Sequence, residues 1–458
     1  MSFTKKFLSS SILSVIDQGM LSALNFAIGM LLIRLATKED YGLYGQLYAG
    51  GLLAGLVVDS WIAGPLTTVA SAVQENTRKA LLRHYWIRQI WSTLLMGGLA
   101  FVIVAFIPAA THNSQPGYLL AIAFAAYVIG NGVREYGRTV GFIQSDIFAV
   151  LRQDIVYVTL VALSLLALYL TDHLGLEWIF TCLASSSIIC SLLGIGRLKA
   201  NTSNHSDHQN QTLSDAANET ASKTASKTAN DTLSGAKISQ VQEDLQQVIV
   251  DHQDTISGHG RWAILGVLVG WLSNYSYVYL SGAWLGVAAI ADLNASRTLL
   301  MPIPLAVAAW SRIARPEASR LMAEQNWTGL RKLTLFSIAG IELVVLAYVG
   351  VMLLMLPWLE AHVIGSKYSG LDPLVMLWGA YFAINAARWV GTSWLSSGGA
   401  FRSLFYLGSV TLVLVLGITS WTIPHLGTSG AITALIAVEV FELFVVWKYI
   451  LPGLQKNA

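Results

Sequence analysis

The stretch that divides this chain of 458 residues reads, from Arg197 to Asn230, RLKANTSNHSDHQNQTLSDAANETASKTASKTAN, and polar residues remain frequent up to Gly260. It is rich in Asn, Ser, Thr, Asp, Gln and Lys, and it repeats ASKT in tandem at 221–228. Such a composition buries too little apolar surface to offset the entropy that is lost when a chain is ordered. We therefore predict a mostly disordered linker at 197–260, between an N-terminal half, 1–196, and a C-terminal half, 261–458. Near its end, from Lys237, apolar residues recur at helical spacing, which indicates a short amphipathic helix or a partly helical extension of the seventh span.

The composition of the whole chain is that of an integral membrane protein. Hydrophobic residues make up 54% of it and charged residues only 12%, whereas soluble domains carry about 25% charged residues. The net charge of +2 gives no reason to expect a nucleic-acid partner. Cys182 and Cys190 lie in one apolar segment without the spacing of metal ligands, so we expect core roles for them and no metal site.

Each half contains six apolar runs that are long enough to cross a membrane. A transmembrane helix needs about 20 apolar residues, because no backbone polar group can be left unpaired in the bilayer. The runs are 11–35, 43–70, 89–110, 118–140, 154–171 and 177–196 in the first half, and 261–286, 290–312, 334–357, 371–394, 405–423 and 427–450 in the second. The predicted fold class is therefore an all-α membrane protein with about twelve transmembrane helices in two six-helix bundles.

Basic residues between the helices predict the orientation of the chain, because Lys and Arg near helix ends stay on the cytoplasmic side. Two connections, after the second and the eighth helix, are strongly basic. The connection after the second helix contains Arg78, Lys79, Arg83 and Arg88. The connection after the eighth helix contains Arg312, Arg315, Arg320, Arg331 and Lys332. Both termini and the linker are thus predicted to be cytoplasmic. Two halves with the same orientation form a parallel repeat if they arose by duplication, and a shift of 251 residues, which places Pro65 on Pro316 and Gln74 on Gln325, favours duplication over chance matching. We therefore expect two parallel bundles.

Arginines inside the predicted membrane segments are candidate substrate residues. An ionised group near the bilayer centre costs at least about 2.5 kcal/mol, and such groups usually face a bundle interior or a watery cavity. The candidates for a cavity that binds an anionic substrate are Arg134, Arg138, Arg297 and Arg388. One guanidinium group can donate two parallel hydrogen bonds to the oxygens of a phosphate. The alternative for the arginines of the fourth and tenth helices is that they extend to the headgroups near the helix ends.

Acidic residues in the same segments are candidates for coupling to an ion gradient. We select Asp17, Asp59 and Glu342 as cavity or coupling residues, and Glu439 and Glu442 lie at a similar depth to Glu342. The alternative for these glutamates is that a neutral carboxylic acid forms a hydrogen bond between helices. Tyr41 and Tyr44 are predicted to anchor helix ends at the membrane interface, without a substrate role.

The sequence contains none of the common catalytic motifs. It has no P-loop, no His-Glu-x-x-His, no Gly-x-Ser-x-Gly and no Cys or His cluster at ligand spacing. We therefore expect neither an enzyme nor a bound cofactor. The predicted outer connections are also short, which leaves little room for the acceptor platform of a membrane-bound polymerase.

The end of the first helix and the following turn read LLIRLATKEDYGLY at 31–44. This resembles the opening of the polysaccharide transporter family, the Wzx-type O-antigen and teichoic-acid flippases, where an apolar helix ends in a short polar turn with an acidic residue, Tyr-Gly and a further aromatic residue. The twelve-helix plan and the basic loop after the second helix are also similar. The resemblance implies the MOP/MATE-like fold, in which two six-helix bundles surround a polar cavity. The linker of roughly 60 residues is longer than this family leads us to expect.

On this resemblance we expect a flippase that moves an undecaprenyl-diphosphate-linked oligosaccharide across the bacterial inner membrane by alternating access, for surface polysaccharide biosynthesis. The expected partners are that lipid-linked oligosaccharide and membrane lipids. A polysaccharide polymerase and a chain-length regulator are candidate partners, and H⁺ or Na⁺ are candidate coupling ions. Two alternatives stay open: a cation-coupled small-molecule exporter of the same superfamily, and a polysaccharide polymerase or a non-transporting membrane scaffold.

Overall fold

A computed structural model describes residues 3–106, 117–144, 146–192, 227–398 and 400–451, and this part of the chain contains helices and no strand. The α-helices are α1 (Phe3–Leu35), α2 (Lys38–Val58), α3 (Gly64–Ala72), α4 (Glu75–Phe106), α5 (Tyr118–Ile143), α6 (Ile147–Leu170), α7 (Leu176–Leu192), α8 (Lys227–Leu285), α9 (Val287–Leu299), α10 (Pro302–Ala323), α11 (Trp327–Leu359), α12 (Asp372–Ser397) and α13 (Phe401–Val445). Short π-helical turns follow α2, α11 and α13 at Asp59–Ala63, Glu360–Ile364 and Val446–Ile450. The described residues of all twelve predicted spans lie almost entirely on helices, so the predicted fold class is confirmed.

Glycine and proline explain where the helices do not follow the predicted spans one for one. The predicted span 290–312 is divided into α9 and α10 just before Pro302, which lacks a backbone N–H and suits the first position of a helix. The last two predicted spans, 405–423 and 427–450, are joined in α13 and the π-helical turn after it, and the second span begins at Gly427. The backbone φ of Gly427 is 61°, a conformation that glycine adopts without a steric penalty.

The helices have the length and the surface of membrane segments. Seven helical runs of the described chain are long and apolar enough to cross a membrane, and the run Trp327–Ile364 has a mean hydropathy of 2.4. Large apolar side chains on these helices point outward, and Leu354 and Phe106 are 84% and 80% exposed. Apolar surface on this scale is expected to face lipid and not water. The chain is therefore a multi-pass membrane protein.

The described helices form two compact units. The first unit contains the described residues of Met1–Met20, Gly51–Pro108 and Gln115–Val267, and the second contains those of Leu21–Gly50 and Leu268–Ala458. Helices α1, α2 and α8 contribute residues to both units. The predicted halves, 1–196 and 261–458, follow the order of the chain, whereas the units follow contacts in space. Those halves stay a prediction about duplication.

The polar segment between the halves is partly helical. Residues 227–260 belong to α8, which begins at Lys227, while residues 193–226 lie outside the described part of the chain. The sequence contains a reason for this helix, since apolar residues recur at helical spacing. These residues are Ile238, Val241, Leu245 and Val248. The spacing indicates a helix from Lys237, and α8 begins ten residues before it.

The end of the polar segment is packed into the first unit. Ile256 is only 1% exposed and belongs to an apolar core that also contains Leu66, Tyr85 and Tyr136. Four residues later, a Cβ atom on Gly260 would lie 2.7 Å from the carbonyl oxygen of Trp61, which is closer than real Cβ contacts allow. The burial of Ile256 stabilises this part of α8, so it is a structural element of the first unit and not a free linker.

Candidate substrate cavity and buried charge networks

Arg297, in the last turn of α9, is held by aromatic side chains. Its Nη1 atom donates a hydrogen bond of 2.9 Å to the hydroxyl of Tyr277. The guanidinium also lies 5.4 Å from the ring centroid of Trp378 and 5.7 Å from that of Tyr275, which are cation–π distances. Among the described residues Arg297 makes no ion pair, and its buried Nε atom has no hydrogen-bond partner. Its positive charge is therefore uncompensated.

Arg297 lines a cavity of about 140 Å³ within the second unit, between residues of α1, α2, α8 and α9. The other polar side chains of the wall include Asn25, Tyr41, Tyr44, Tyr48, Tyr275 and Asn294. Tyrosine combines a flat apolar ring with a hydroxyl, and asparagine has both a donor and an acceptor. The cavity thus places one positive charge among neutral polar and aromatic groups.

The Tyr41-Gly42 pair of the sequence motif helps to build this cavity. The hydroxyl of Tyr41 lies 3.2 Å from Thr298 Oγ1, beside Arg297. A Cβ atom on Gly42 would overlap the carbonyl oxygen of Val287, so glycine lets α2 approach α9 closely. Tyr41 and Tyr44 are 3% and 7% exposed. Because both are buried in the cavity wall, the prediction that they are interface anchors is wrong.

Arg134 and Arg138 lie one turn apart on α5, in a buried charge network of the first unit. Arg134 contacts Asp154 and Glu135, with N–O distances of 3.2 and 2.6 Å. Arg138 contacts Asp154 and Glu135, each at 2.7 Å, and Asp17 at 2.9 Å. The arginine side chains are 6% and 12% exposed, and that of Asp154 is fully buried. This burial argues against the alternative that these arginines extend to the headgroups.

The network contains more carboxylates than guanidinium groups. Two arginines face three acids, so the fully ionised network has one uncompensated negative charge. A buried charge without a partner is costly, and a bound proton or another cation would remove that cost. The prediction had selected Asp17 but missed Asp154. The predicted helix began at Asp154, which made this residue look like a helix end, whereas α6 begins at Ile147.

Arg388 on α12 is part of a similar network in the second unit. Its Nε atom lies 2.5 Å from Glu439 and 2.8 Å from Glu442. Asn385 donates a hydrogen bond of 3.0 Å to Glu439, and Thr411 donates one of 2.5 Å to Glu442. Arg388 therefore already has two carboxylate partners. Of the four candidate arginines, Arg297 is the one whose charge is left for a ligand in the described structure.

The two other candidate acids lie apart from these networks. The side chain of Asp59 is exposed in the π-helical turn after α2. Glu342 is partly buried on α11, and its Oε1 atom has no hydrogen-bond partner among the described atoms. Neither residue makes an ion pair within the described part of the chain. Their role as coupling residues stays a prediction.

A second polar cavity of about 240 Å³ surrounds an ion pair of the second unit. Lys38 and Asp292 lie 2.6 Å apart in its wall. Nearby, Lys367 donates a hydrogen bond of 3.2 Å to the carbonyl oxygen of Arg34. Burial lowers the pKa of Lys367, and the charges of Arg34 and Lys38 lower it further. Because Lys38 already has a carboxylate partner, this cavity is a weaker candidate for an anion than the one at Arg297.

Comparison with known proteins identifies solved structures that have a similar fold. No protein-family model and no curated protein sequence matches the chain. Solved structures do match. An inward-facing multidrug resistance MATE family transporter of the MOP superfamily has a TM-score of 0.71 and 12% identity, over 95% of both chains. The lipid II flippase MurJ, in an inward closed conformation, has a TM-score of 0.66 and 8% identity, over 98% of this chain and 90% of the other.

A third similar structure is a MOP superfamily transporter from Pyrococcus furiosus, described by a reversed polarity of its binding pocket. It has a TM-score of 0.59 and 13% identity, over 98% of this chain and 96% of the other. At such identities the likeness establishes the fold alone. This chain therefore has the fold of MOP superfamily transporters, and the matched proteins are transporters and a flippase, not enzymes.

Proposed function

We propose that this chain is a flippase that moves an undecaprenyl-diphosphate-linked oligosaccharide from the inner to the outer leaflet of a bacterial inner membrane by alternating access. The fold supports a transporter, and a lipid II flippase shares it. Arg297 is the observation that carries the proposal. Neutral aromatic partners hold its guanidinium at a cavity, so its charge can bind an anionic group of the substrate.

The proposal assigns a different role to the charges that are already paired. Arg134, Arg138 and Arg388 hold the two carboxylate-rich networks together, and the excess carboxylate of each network takes up H⁺ or Na⁺ during the cycle. Both termini are cytoplasmic in this proposal. A polysaccharide polymerase and a chain-length regulator act on the product at the outer surface.

The display of surface glycan in a deletion strain tests the proposal. We expect Arg297→Ala to abolish display while the protein still inserts normally, because the cavity loses its cation. Arg297→Lys should restore display only in part, since an ammonium group keeps the charge but lacks the planar fork. Arg320→Ala is the matched control, because Arg320 is exposed and pairs with Glu317. Wild-type display by Arg297→Ala would contradict the assignment of Arg297.

A cation-coupled small-molecule exporter is the second candidate function. The excess carboxylates and the likeness to a MATE family transporter favour it. Extrusion of organic cations, together with unchanged surface glycan in the deletion strain, would replace our proposal with this one. The glycan itself distinguishes a polymerase, because a strain without its polymerase displays single repeat units whereas a strain without its flippase displays none.

A further inference from the structure

The wall of the Arg297 cavity has a composition that suits a sugar ring. Tyr44 and Tyr48 stack with their ring centroids 5.9 Å apart and an interplanar angle of 19°. Tyr275 stacks on Trp271 at 5.9 Å and 25°. Flat aromatic faces pack well against the C–H faces of a pyranose, and hydroxyl and amide groups bind its hydroxyls.

Close helix packing brings an amide into this wall. A Cβ atom on Gly45 would overlap the side-chain nitrogen of Asn294, so glycine on α2 makes room for this amide of α9. Asn25 adds a second amide from α1. Each amide has donors and an acceptor, which matches the alternating donors and acceptors of sugar hydroxyls.

A lipid-linked glycan can carry negative charge on its diphosphate or on an acidic sugar. The charge of the cavity distinguishes between these two groups. A diphosphate carries more than one negative charge, and protein sites for phosphate gather several donors, often at a helix N-terminus. Arg297 is the one cationic side chain among the described residues that line this cavity. It also lies in the last turn of α9, where the helix dipole is negative. Such a site favours a group with a single negative charge.

Arg297 also has hydrogen-bonding capacity that its described neighbours do not use. Its Nη1 atom is engaged by Tyr277, while the buried Nε atom has no partner among the described atoms. A buried donor without a partner costs about 1–3 kcal/mol, and a carboxylate can accept from two guanidinium nitrogens at once. A carboxylate paired with the guanidinium would compensate the charge that the neutral partners of Arg297 leave uncompensated.

We propose that this cavity binds a pyranose that carries one carboxylate, a uronic-acid type of sugar, with the carboxylate on Arg297 and the ring against the tyrosines. This rests on the proposed function, because it names the sugar that the flippase selects. The diphosphate binds elsewhere on the protein.

Ligand-observed nuclear magnetic resonance on the purified full chain in lipid nanodiscs tests the site. The probes are methyl glucuronide, the neutral methyl glucoside and inorganic pyrophosphate. We expect the glucuronide to bind at least about 10-fold more tightly than the glucoside, because a charged hydrogen-bond pair is worth at least this factor. Arg297→Gln should remove this preference and Arg297→Lys should reduce it, whereas Arg320→Gln should leave it unchanged.

The possible outcomes separate this inference from the proposed function. Equal binding of glucuronide and glucoside to the wild-type chain would overturn the acidic-sugar site. Displacement of the glucuronide by pyrophosphate would also overturn it, in favour of a diphosphate site, and would leave the flippase proposal standing. Arg297-dependent binding of tetraphenylphosphonium, an organic cation, with no binding of either sugar would contradict both. The Lys variant retains the cation, so it tests the site if the Gln variant does not fold.

Discussion

Loss of Arg138 should destabilise the first unit far more than loss of one of its carboxylate partners. The side chain of Arg138 lies 2.7 Å from Asp154, 2.7 Å from Glu135 and 2.9 Å from Asp17. Arg138→Met removes the cation and leaves these three acids facing Arg134 alone. Removing one partner of a buried ion pair costs about 3–5 kcal/mol, because a buried charge is left uncompensated.

Asp154→Asn removes a negative charge from the same network, whereas Arg138→Met removes a positive one. Two guanidinium groups then face two carboxylates, so the excess negative charge is removed while the side chain keeps its shape. We expect a cost of about 1–2 kcal/mol for the weakened hydrogen bonds. The contrast depends on the charge count of the network and not on the number of contacts that each variant loses.

Thermal unfolding in the presence of a thiol-reactive dye measures this contrast. Cys190 is fully buried in the first unit, with its sulfur 3.7 Å from the carbonyl oxygen of Gln153, so it reacts only when the unit opens. Cys182→Ser makes Cys190 the one reporter. At about 2–4 °C per kcal/mol for a unit of this size, Arg138→Met should lower the midpoint by about 6–20 °C and Asp154→Asn by about 2–8 °C.

The control for this experiment is Arg83→Met, an exposed arginine of the same unit, which should leave the midpoint unchanged. If Asp154→Asn lowers the midpoint as much as Arg138→Met does, the excess of negative charge is refuted.

Two further substitutions test the packing. Ile256→Ala should destabilise the first unit by about 2–5 kcal/mol, because the side chain is 1% exposed in the core; a dye midpoint equal to that of the wild type would mean that this part of α8 does not dock. Gly42→Ala should reduce surface glycan, because its Cβ overlaps the Val287 carbonyl oxygen, whereas Gly55→Ala, with open space around it, should not. Equal display from both glycine variants would contradict close packing of α2 on α9.

The helices were predictable from the sequence because the bilayer imposes a simple rule. A backbone in hydrocarbon has to pair its own polar groups, so about 20 apolar residues in a row indicate a helix. The start of α8 at Lys227 was not predictable from composition, since polar residues also form helices when a few apolar positions find a partner. Ile256 finds that partner in the core of the first unit.

The candidate site was only partly predictable. Predicted depth in the membrane singled out Arg134, Arg138 and Arg388, yet most of their carboxylate partners come from distant parts of the chain. Hydropathy contains no information about which helices pack together, so it could not show which arginine remains without a carboxylate. That distinction, which separates Arg297 from the others, needed the structure.

Tyr41 shows a related limit of the sequence. An aromatic residue near the end of a transmembrane helix is typical of an interface anchor. The burial of Tyr41 beside Thr298 follows from the close approach of α2 to α9 at Gly42. The Tyr-Gly motif thus has a packing role that its position alone did not reveal.

Flipping of a lipid-linked oligosaccharide by the purified chain in proteoliposomes tests the central claim most directly. A fluorescent glycan on undecaprenyl diphosphate is protected in the inner leaflet from a membrane-impermeant quencher until it is flipped. We expect the wild-type chain and Arg320→Ala to expose it, and Arg297→Ala to expose no more than protein-free vesicles do. Equal exposure with Arg297→Ala and the wild-type chain would contradict the role of Arg297, and no exposure with the wild-type chain would contradict the flippase itself.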